Sequence, residues 1–408
     1  MPLIRSSGGA QRAFLIAAAA FLLVAPYPSS AGWRVFFILV GAIALAWRSY
    51  ATGEGLGLSR VPRPFVIAVL AWAGLCTASL AWSVNPGYTL QELRRELLYG
   101  ALAFVVFFCG TRSPREVHLW VRVILVGAIG LGIGEWIRAA NPGAAWARSL
   151  SMGPGPFTAH VLMVIPLLAI ATWPRPEGMG WSIKAALAAC VALLVAGLAG
   201  ESRILWVALA AAAFVAFPAY ASSLPRGHPA RELAARVFAA ALVVLALLMV
   251  ITTEYKARVY PRAASTIEMF ELDERPLIWK ASAALASERP WAGHGYGRDI
   301  VADELHVRFA AAGVPPYNHG HSVLVDTALQ LGIAGVATLL AFMGTLAWAL
   351  AAMRRTPDGT PLAITGVALF AAYAVKNITD DFFYRPNSLM FWAIAGMLLG
   401  RASFAARR

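Results

Sequence analysis

Three polar groups stand out, two of them at the ends of apolar runs, where a charge is costly unless it reaches the interface or serves a purpose. Tyr317-Asn318-His319-Gly320-His321-Ser322 leads directly into the apolar run 323–350. At the N-terminus of a helix the dipole disfavours imidazolium, so a neutral His321 could accept a proton while free backbone amides favour an anion nearby. His319 is a secondary candidate for the same role. Gly200-Glu201-Ser202-Arg203 opens the run 204–217. Arg203 there opposes the dipole of its own helix, and an anionic ligand would account for it. Arg275, in a long hydrophilic stretch, is followed four residues later by Trp279. Guanidinium groups bind phosphate oxygens bidentately and stay charged near lipid. The set therefore suits a proton acceptor beside cations that favour an anionic ligand. Position alone also fits blander roles: a histidine capping its helix, an arginine snorkelling to lipid phosphate, or an arginine paired with Glu271 or Asp273.

Other groups are weaker candidates. Asp380 and Asp381 lie near Lys376 and Arg385; pairing with Arg385 is the favoured reading, and a role as base or nucleophile is the alternative. His294, His306, His319 and His321 could be gathered around zinc, but no cysteine or closely spaced carboxylate joins them, so no metal is expected. Cys76, Cys109 and Cys190 sit inside apolar runs without CxxC spacing and read as packing residues. No GxxxxGK[ST] loop is present, and no cofactor is expected.

The elements that must position these groups are membrane helices. Of the 408 residues, 59% are hydrophobic and 13% charged, against about 25% charged in soluble domains. Lipid is the solvent that such a surface demands. The net charge of +13 would suit nucleic acid if it formed a stripe, but the basic residues punctuate apolar runs instead, which excludes that partner. Candidate spans fall near 13–29, 33–47, 65–82, 97–111, 117–138, 156–173, 183–199, 203–219, 236–253, 321–352, 360–378 and 388–404, about twelve in all. The first follows Arg5 and Arg12 and imitates a signal peptide; without a cleavage site it reads as a span.

Arginine and lysine crowd alternate short loops, around Arg48, Arg63, Arg112, Lys184, Arg226, Arg354 and Arg401, which places those loops and both termini in the cytoplasm. The expected architecture is all-α: transmembrane helices 1–9 over residues 1–253, a long loop outside the cytoplasm over 254–320, and helices 10–12 over 321–408. A loop of that length with many aromatics is ordered rather than a solvated linker. A helix is expected to begin at Arg275-Pro276, with Ile278, Ser282 and Leu285 on one face, and to end by Pro290 and the glycines at 293, 295 and 297.

These residues resemble the O-antigen ligase and polymerase superfamily. His321-Ser322, nine further residues, then Gly332-Ile333-Ala334-Gly335 fits its pattern of histidine, Asn/Ser/Gln, nine positions, glycine, two positions, Gly/Thr/Tyr. The resemblance extends to Ser202-Arg203, to Arg275 and to the turn Gly153-Pro154-Gly155-Pro156-Phe157, and runs from about Gly153 to Gly400. Val207 stands where the family commonly has leucine. What the resemblance implies is an inner-membrane glycosyltransferase of lipopolysaccharide biosynthesis. Its donor would be an undecaprenyl-diphosphate-linked O-antigen. In the ligase branch, the favoured one, the acceptor is the lipid A core; the polymerase and O-oligosaccharyltransferase branches use a growing O-unit or a protein. Arg203 and Arg275 would hold the diphosphate and His321 would act as general base. In the absence of an obvious carboxylate pair, inversion at the anomeric carbon is expected. A transporter of lipid-linked sugars is the alternative of another class, disfavoured because the distinctive polar groups gather on one face.

Overall fold

The computed structural model describes residues 7–172, 181–259, 274–356, 359–381 and 383–405. Among them every regular element is helical. In chain order these are α1 (Ser7–Val24), α2 (Ala31–Thr52), α3 (Arg63–Ala78), α4 (Pro86–Glu92), α5 (Tyr99–Gly110), α6 (Pro114–Ala140), α7 (Ala145–Ser149), α8 (Pro154–Val164), α9 (Leu168–Ala171), α10 (Ile183–Leu198), α11 (Arg203–Ser223), α12 (Pro229–Val259), α13 (Arg275–Ala286), α14 (Ala302–Ala311), α15 (Val323–Ala352), α16 (Gly359–Ile378) and α17 (Arg385–Ala405). Among the described residues, nine helical segments are long and apolar enough to cross a membrane. The chain is a multi-pass helical membrane protein. All twelve expected segments coincide with helices, but those at 13–29, 97–111 and 183–199 correspond to the shorter α1, α5 and α10. Pro26 and Pro28 stop the first of them at Val24, since proline disfavours continuation of the helix before it.

α17 forms the centre of the bundle, with 83% of its apolar window buried, whereas α12 buries only 6% of its own and faces lipid. Small residues allow the close packing: a Cβ at Gly396 or Gly400 would lie 2.4 or 2.2 Å from the carbonyl oxygen of Phe104 or Phe108 on α5. This is the small-xxx-small contact by which membrane helices approach backbone to backbone. Sharper corners are set locally, as at α6, where Ser113 and Glu116 form a capping box around Pro114.

The hydrophilic segment is ordered by its own small core, in which Ile278, Leu285, Ile300, Val301, Leu305 and Phe309 are buried together. α13 begins at Arg275 with Ile278, Ser282 and Leu285 buried, the face read from the sequence. It ends at Ala286, before Pro290, and a second helix, α14, follows that the pattern did not indicate. α12 also continues to Val259, beyond the expected boundary at 253.

This segment is locked into the bundle through a break in α15. Gly332 has φ 62° and ψ −159°, a conformation essentially restricted to glycine. There the backbone turns outward to the loop: His294 and Gly295 donate to the carbonyls of Leu329 and Gln330 at 3.0 and 2.8 Å, and Ile333 donates to Pro290 at 2.8 Å. The interrupted helix thus exchanges its own hydrogen bonds for bonds to the loop, which keeps buried backbone satisfied in lipid. A Cβ at Gly332 would lie 2.4 Å from the Trp291 carbonyl carbon, whereas one at Gly344 in the same helix would meet nothing within 4 Å. Gly332→Ala should therefore cost at least about 1–3 kcal/mol of stability and Gly344→Ala almost none. Thermal unfolding of the two variants in one detergent checks this, and equal midpoints would refute it.

Candidate active site

The turn before α15 is over-determined. Gly320 donates its backbone N–H to Oδ1 of Asp326 at 2.6 Å, and the N–H of His321 donates to Nδ1 of His319 at 3.1 Å. The Tyr317 ring meets the His321 ring edge-on at 4.6 Å. These contacts hold His321 at φ 51°, in the left-handed region that a non-glycine residue adopts only when its surroundings impose it. Ser322 is the N-cap of α15. His321 therefore stands one residue before the cap, just outside the first turn of α15.

The imidazole is oriented from one side. Nδ1 of His321 lies 3.3 Å from Oδ1 of Asp380, while Nε2 is buried with no hydrogen-bond partner among the described residues. An ionised carboxylate can only accept, which puts the ring proton on Nδ1 and leaves the lone pair of Nε2 exposed to whatever enters. Burial alone would raise the Asp380 carboxyl. The hydrogen bond from His321 and the charges of Lys376 and Arg275 outweigh that and hold it below the usual carboxylate range. Nζ of Lys376, on the last turn of α16, lies 3.7 Å from Oδ2 of Asp380 and donates to Oγ of Ser202 at 3.1 Å.

Ser202 is the N-cap of α11 and Arg203 its first residue, so the Lys376 contact ties the end of α11 to His321 through Asp380. Arg275, the first residue of α13, is near enough for its charge to act on Asp380. The structure thus brings the ends of α11, α13, α15 and α16 to one place. Glu271 and Asp273, the suggested partners of Arg275, lie outside the described residues.

One sequence reading needs correction. Asp380 pairs with His321 and Lys376, not with Arg385, because Arg385 is already taken up. Its Nη2 lies 3.3 Å from Oε1 of Glu92, and its backbone N–H bonds the carboxylate of Glu96. Lys376 and Glu92 were not singled out as site residues. An i,i+4 lysine and aspartate at the end of a span was a signal for the first; nothing local connects Asp380 to His321, 59 positions away.

The remaining histidines and carboxylates sort by their contacts. Nδ1 of His319 lies 3.5 Å from Oδ2 of Asp326. Its imidazole is pushed down to about 4, first by burial and then by the Arg298 charge, so it stays neutral at ordinary pH. His294 is bound to the Leu329 carbonyl and His306 to Asn318. Among the described residues no group of three or more His, Cys, Asp or Glu is placed to hold a metal ion. Cys76 and Cys109 are buried and Cys190 partly so, all as free thiols.

Asp381 is pushed up to about 7, first by burial and then by Asp326, although the Arg298 charge opposes both. Its folded pKa exceeds its unfolded value, so its contribution to stability is fully present below about pH 4 and is lost as pH rises through about 7. Relative to Asp381→Asn, the native protein should lose on the order of 2–4 kcal/mol between pH 4 and pH 8. Thermal unfolding across that window would show converging curves at the acid end. Parallel curves would count against the assignment.

An apolar cavity of about 360 Å³ lies between α15 and α16, lined by Met343, Phe370, Tyr373 and Asn377 among others. It begins beside Val323 and Ile378, each two residues from a member of the His321–Asp380 pair.

Comparison with known proteins adds a family. Residues 188–340 match the family model Wzy_C, described as O-antigen ligase. The match is narrower than the 153–400 stretch of the resemblance, and it contains Arg203, Arg275, His321, Gly332 and Gly335 but neither Lys376 nor Asp380. An O-antigen ligase of Pseudomonas aeruginosa is 27% identical over 274 residues, which cover 64% of this chain. The aligned stretch covers 60% of that relative's length. Both findings support the likeness to the O-antigen ligase superfamily.

Proposed function

We propose that this chain is an O-antigen ligase of the bacterial inner membrane. It transfers a glycan from an undecaprenyl-diphosphate-linked donor to a hydroxyl of the lipid A core, on the periplasmic face. The observation that carries the reading is the buried Nε2 of His321, without a hydrogen-bond partner among the described residues, on a ring that Asp380 orients through Nδ1. That atom is poised to take the proton of an incoming hydroxyl. Arg203 and Arg275 hold the donor diphosphate and stabilise the charge that develops as it leaves. Lys376 fixes Asp380 and the start of α11 in one arrangement, and the slot between α15 and α16 takes the polyprenyl chain. Attack from the face opposite the leaving diphosphate inverts the anomeric carbon, and no metal takes part. The alternation of basic loops supports periplasmic placement of the site, cytoplasmic termini and twelve crossings.

The family and the relative favour a ligase over a polymerase, an O-oligosaccharyltransferase or a transporter. The test is purified chain in detergent micelles with a chelator, given undecaprenyl-diphosphate glycan and lipid A core. Core-linked glycan is expected. A lengthened polyprenyl-linked chain would make it a polymerase, and no transfer in micelles, where no second compartment exists, would return the transporter reading.

A further inference from the structure

A second cavity, of about 340 Å³, lies on the other side of a wall made by Val323, Leu339 and Phe383, which line both spaces. Phe65 and Trp72 of α3, Phe104 of α5, Phe342 of α15 and Trp392 of α17 give it an apolar body. Val66 and Leu70, also in its lining, are 37% and 65% exposed, so it opens sideways between helices where lipid lies.

One end of this cavity is polar. Glu92, Glu96, Arg298, Asp381 and Tyr384 line it there. Glu92 is fully buried; its Oε1 accepts from Arg95 and Arg385 at 3.3 Å each, and its Oε2 is buried with no hydrogen-bond partner among the described residues. The π-helical turn Leu93–Leu98 follows immediately, an irregularity frequent at functional sites. Arg298 lies over the Tyr384 ring at 3.8 Å and donates to the Asp381 carbonyl at 3.2 Å. The adjacent residue, Asp380, holds His321. This polar end and the His321 pair are therefore linked through neighbouring residues, Asp381 and Asp380.

The chemistry selects an occupant. A buried carboxylate oxygen without a partner requires a donor, and an ionised diphosphate group offers none, so Oε2 of Glu92 suits a hydroxyl or an amine rather than the phosphates of the donor. An apolar slot that opens to the bilayer and ends in a carboxylate fits an amphiphile whose head carries O–H or N–H groups.

We propose that this cavity binds a second lipid beside the polyprenyl donor, its chain among the aromatics and its hydroxyl- or amine-bearing head on Oε2 of Glu92. The lipid-anchored acceptor has such a head, and its assignment to the cavity rests on the function proposed above; a bulk aminophospholipid shares the chemistry.

Binding is measured on the full-length chain by native mass spectrometry, without glycan transfer, so failure of the transfer reaction leaves the result intact. The probes are lipid A core, phosphatidylethanolamine and undecaprenyl diphosphate. Lipid A core is expected to bind together with undecaprenyl diphosphate, one of each. Glu92→Ala should weaken the core lipid about tenfold or more and leave undecaprenyl diphosphate unchanged. Because that change also breaks the Arg385 pair, Val69→Trp, which narrows the body of the cavity, serves as the second variant with the same expected outcome. Glu92→Gln keeps an acceptor but removes the charge, so it should spare a hydroxyl head and weaken an ammonium head. Retention of phosphatidylethanolamine with no core lipid would keep the cavity as a lipid site and overturn its assignment to the acceptor. One-for-one displacement by undecaprenyl diphosphate, or binding unaffected by both Glu92→Ala and Val69→Trp, would overturn the proposal.

Discussion

A His321→Ala protein is expected to insert, fold and bind donor normally while transferring glycan about 10²–10⁴-fold more slowly, the loss typical of a missing general base. The geometry sharpens that expectation. Because Asp380 fixes the proton on Nδ1 of His321, Asp380→Asn would offer an amide N–H to the same atom and drive the ring proton to Nε2, where it blocks proton acceptance. Asp380→Asn should then lose on the order of 10²-fold by itself and almost nothing more in the His321→Ala background, since residues that act as a unit are not additive. Initial rates of core-lipid glycosylation by the two single variants and the double variant, with donor binding measured in parallel, decide the matter. Normal transfer by a folded His321→Ala protein would end the assignment. Losses that multiply in the double variant would instead give Asp380 a role of its own, as the base it was first weighed to be.

The sequence carries the helices because lipid forces them: each apolar run must satisfy its backbone internally, so hydropathy alone locates α2, α6, α11 and α15. It is less informative where helices are short. α14 spans ten residues and is stabilised by contacts of Leu305 and Phe309 with other parts of the loop, a tertiary effect without a long periodic signature. The motif glycines illustrate a different limit. Gly332 was legible as part of a pattern, but its physical reason, a helix broken to accept the backbone of 293–295, needs the partner segment in view. The same holds for Asp380, whose neighbour Arg385 looked nearer in sequence than His321 did. Glu92 and Glu96 carry little signal in the sequence because Arg94 and Arg95 stand between them, and pairing within the loop would account for all four. Two acidic residues four apart at the mouth of a span were the available signal.

The second large effect is expected at the cations. Arg203→Ala should lower transfer about 10²–10³-fold, the cost of removing one preorganised donor from a developing negative charge, and Arg203→Lys should recover only part of it, because an ammonium cannot grip two phosphate oxygens in one plane. Where the loss appears in the kinetics distinguishes two jobs. Arg203 opens α11, and the adjacent Ser202 is tied to Lys376, so it is set before the donor arrives and should act mainly on the departing diphosphate, lowering kcat. Arg275 opens α13 in the hydrophilic segment, outside the membrane-spanning helices; its substitution should raise KM for the donor at least as much as it lowers kcat. Steady-state kinetics with donor concentration varied would separate these outcomes. A folded Arg203→Ala protein with unchanged kcat would remove it from the leaving-group role and pass that role to Arg275 or to Lys376, the cation beside Asp380.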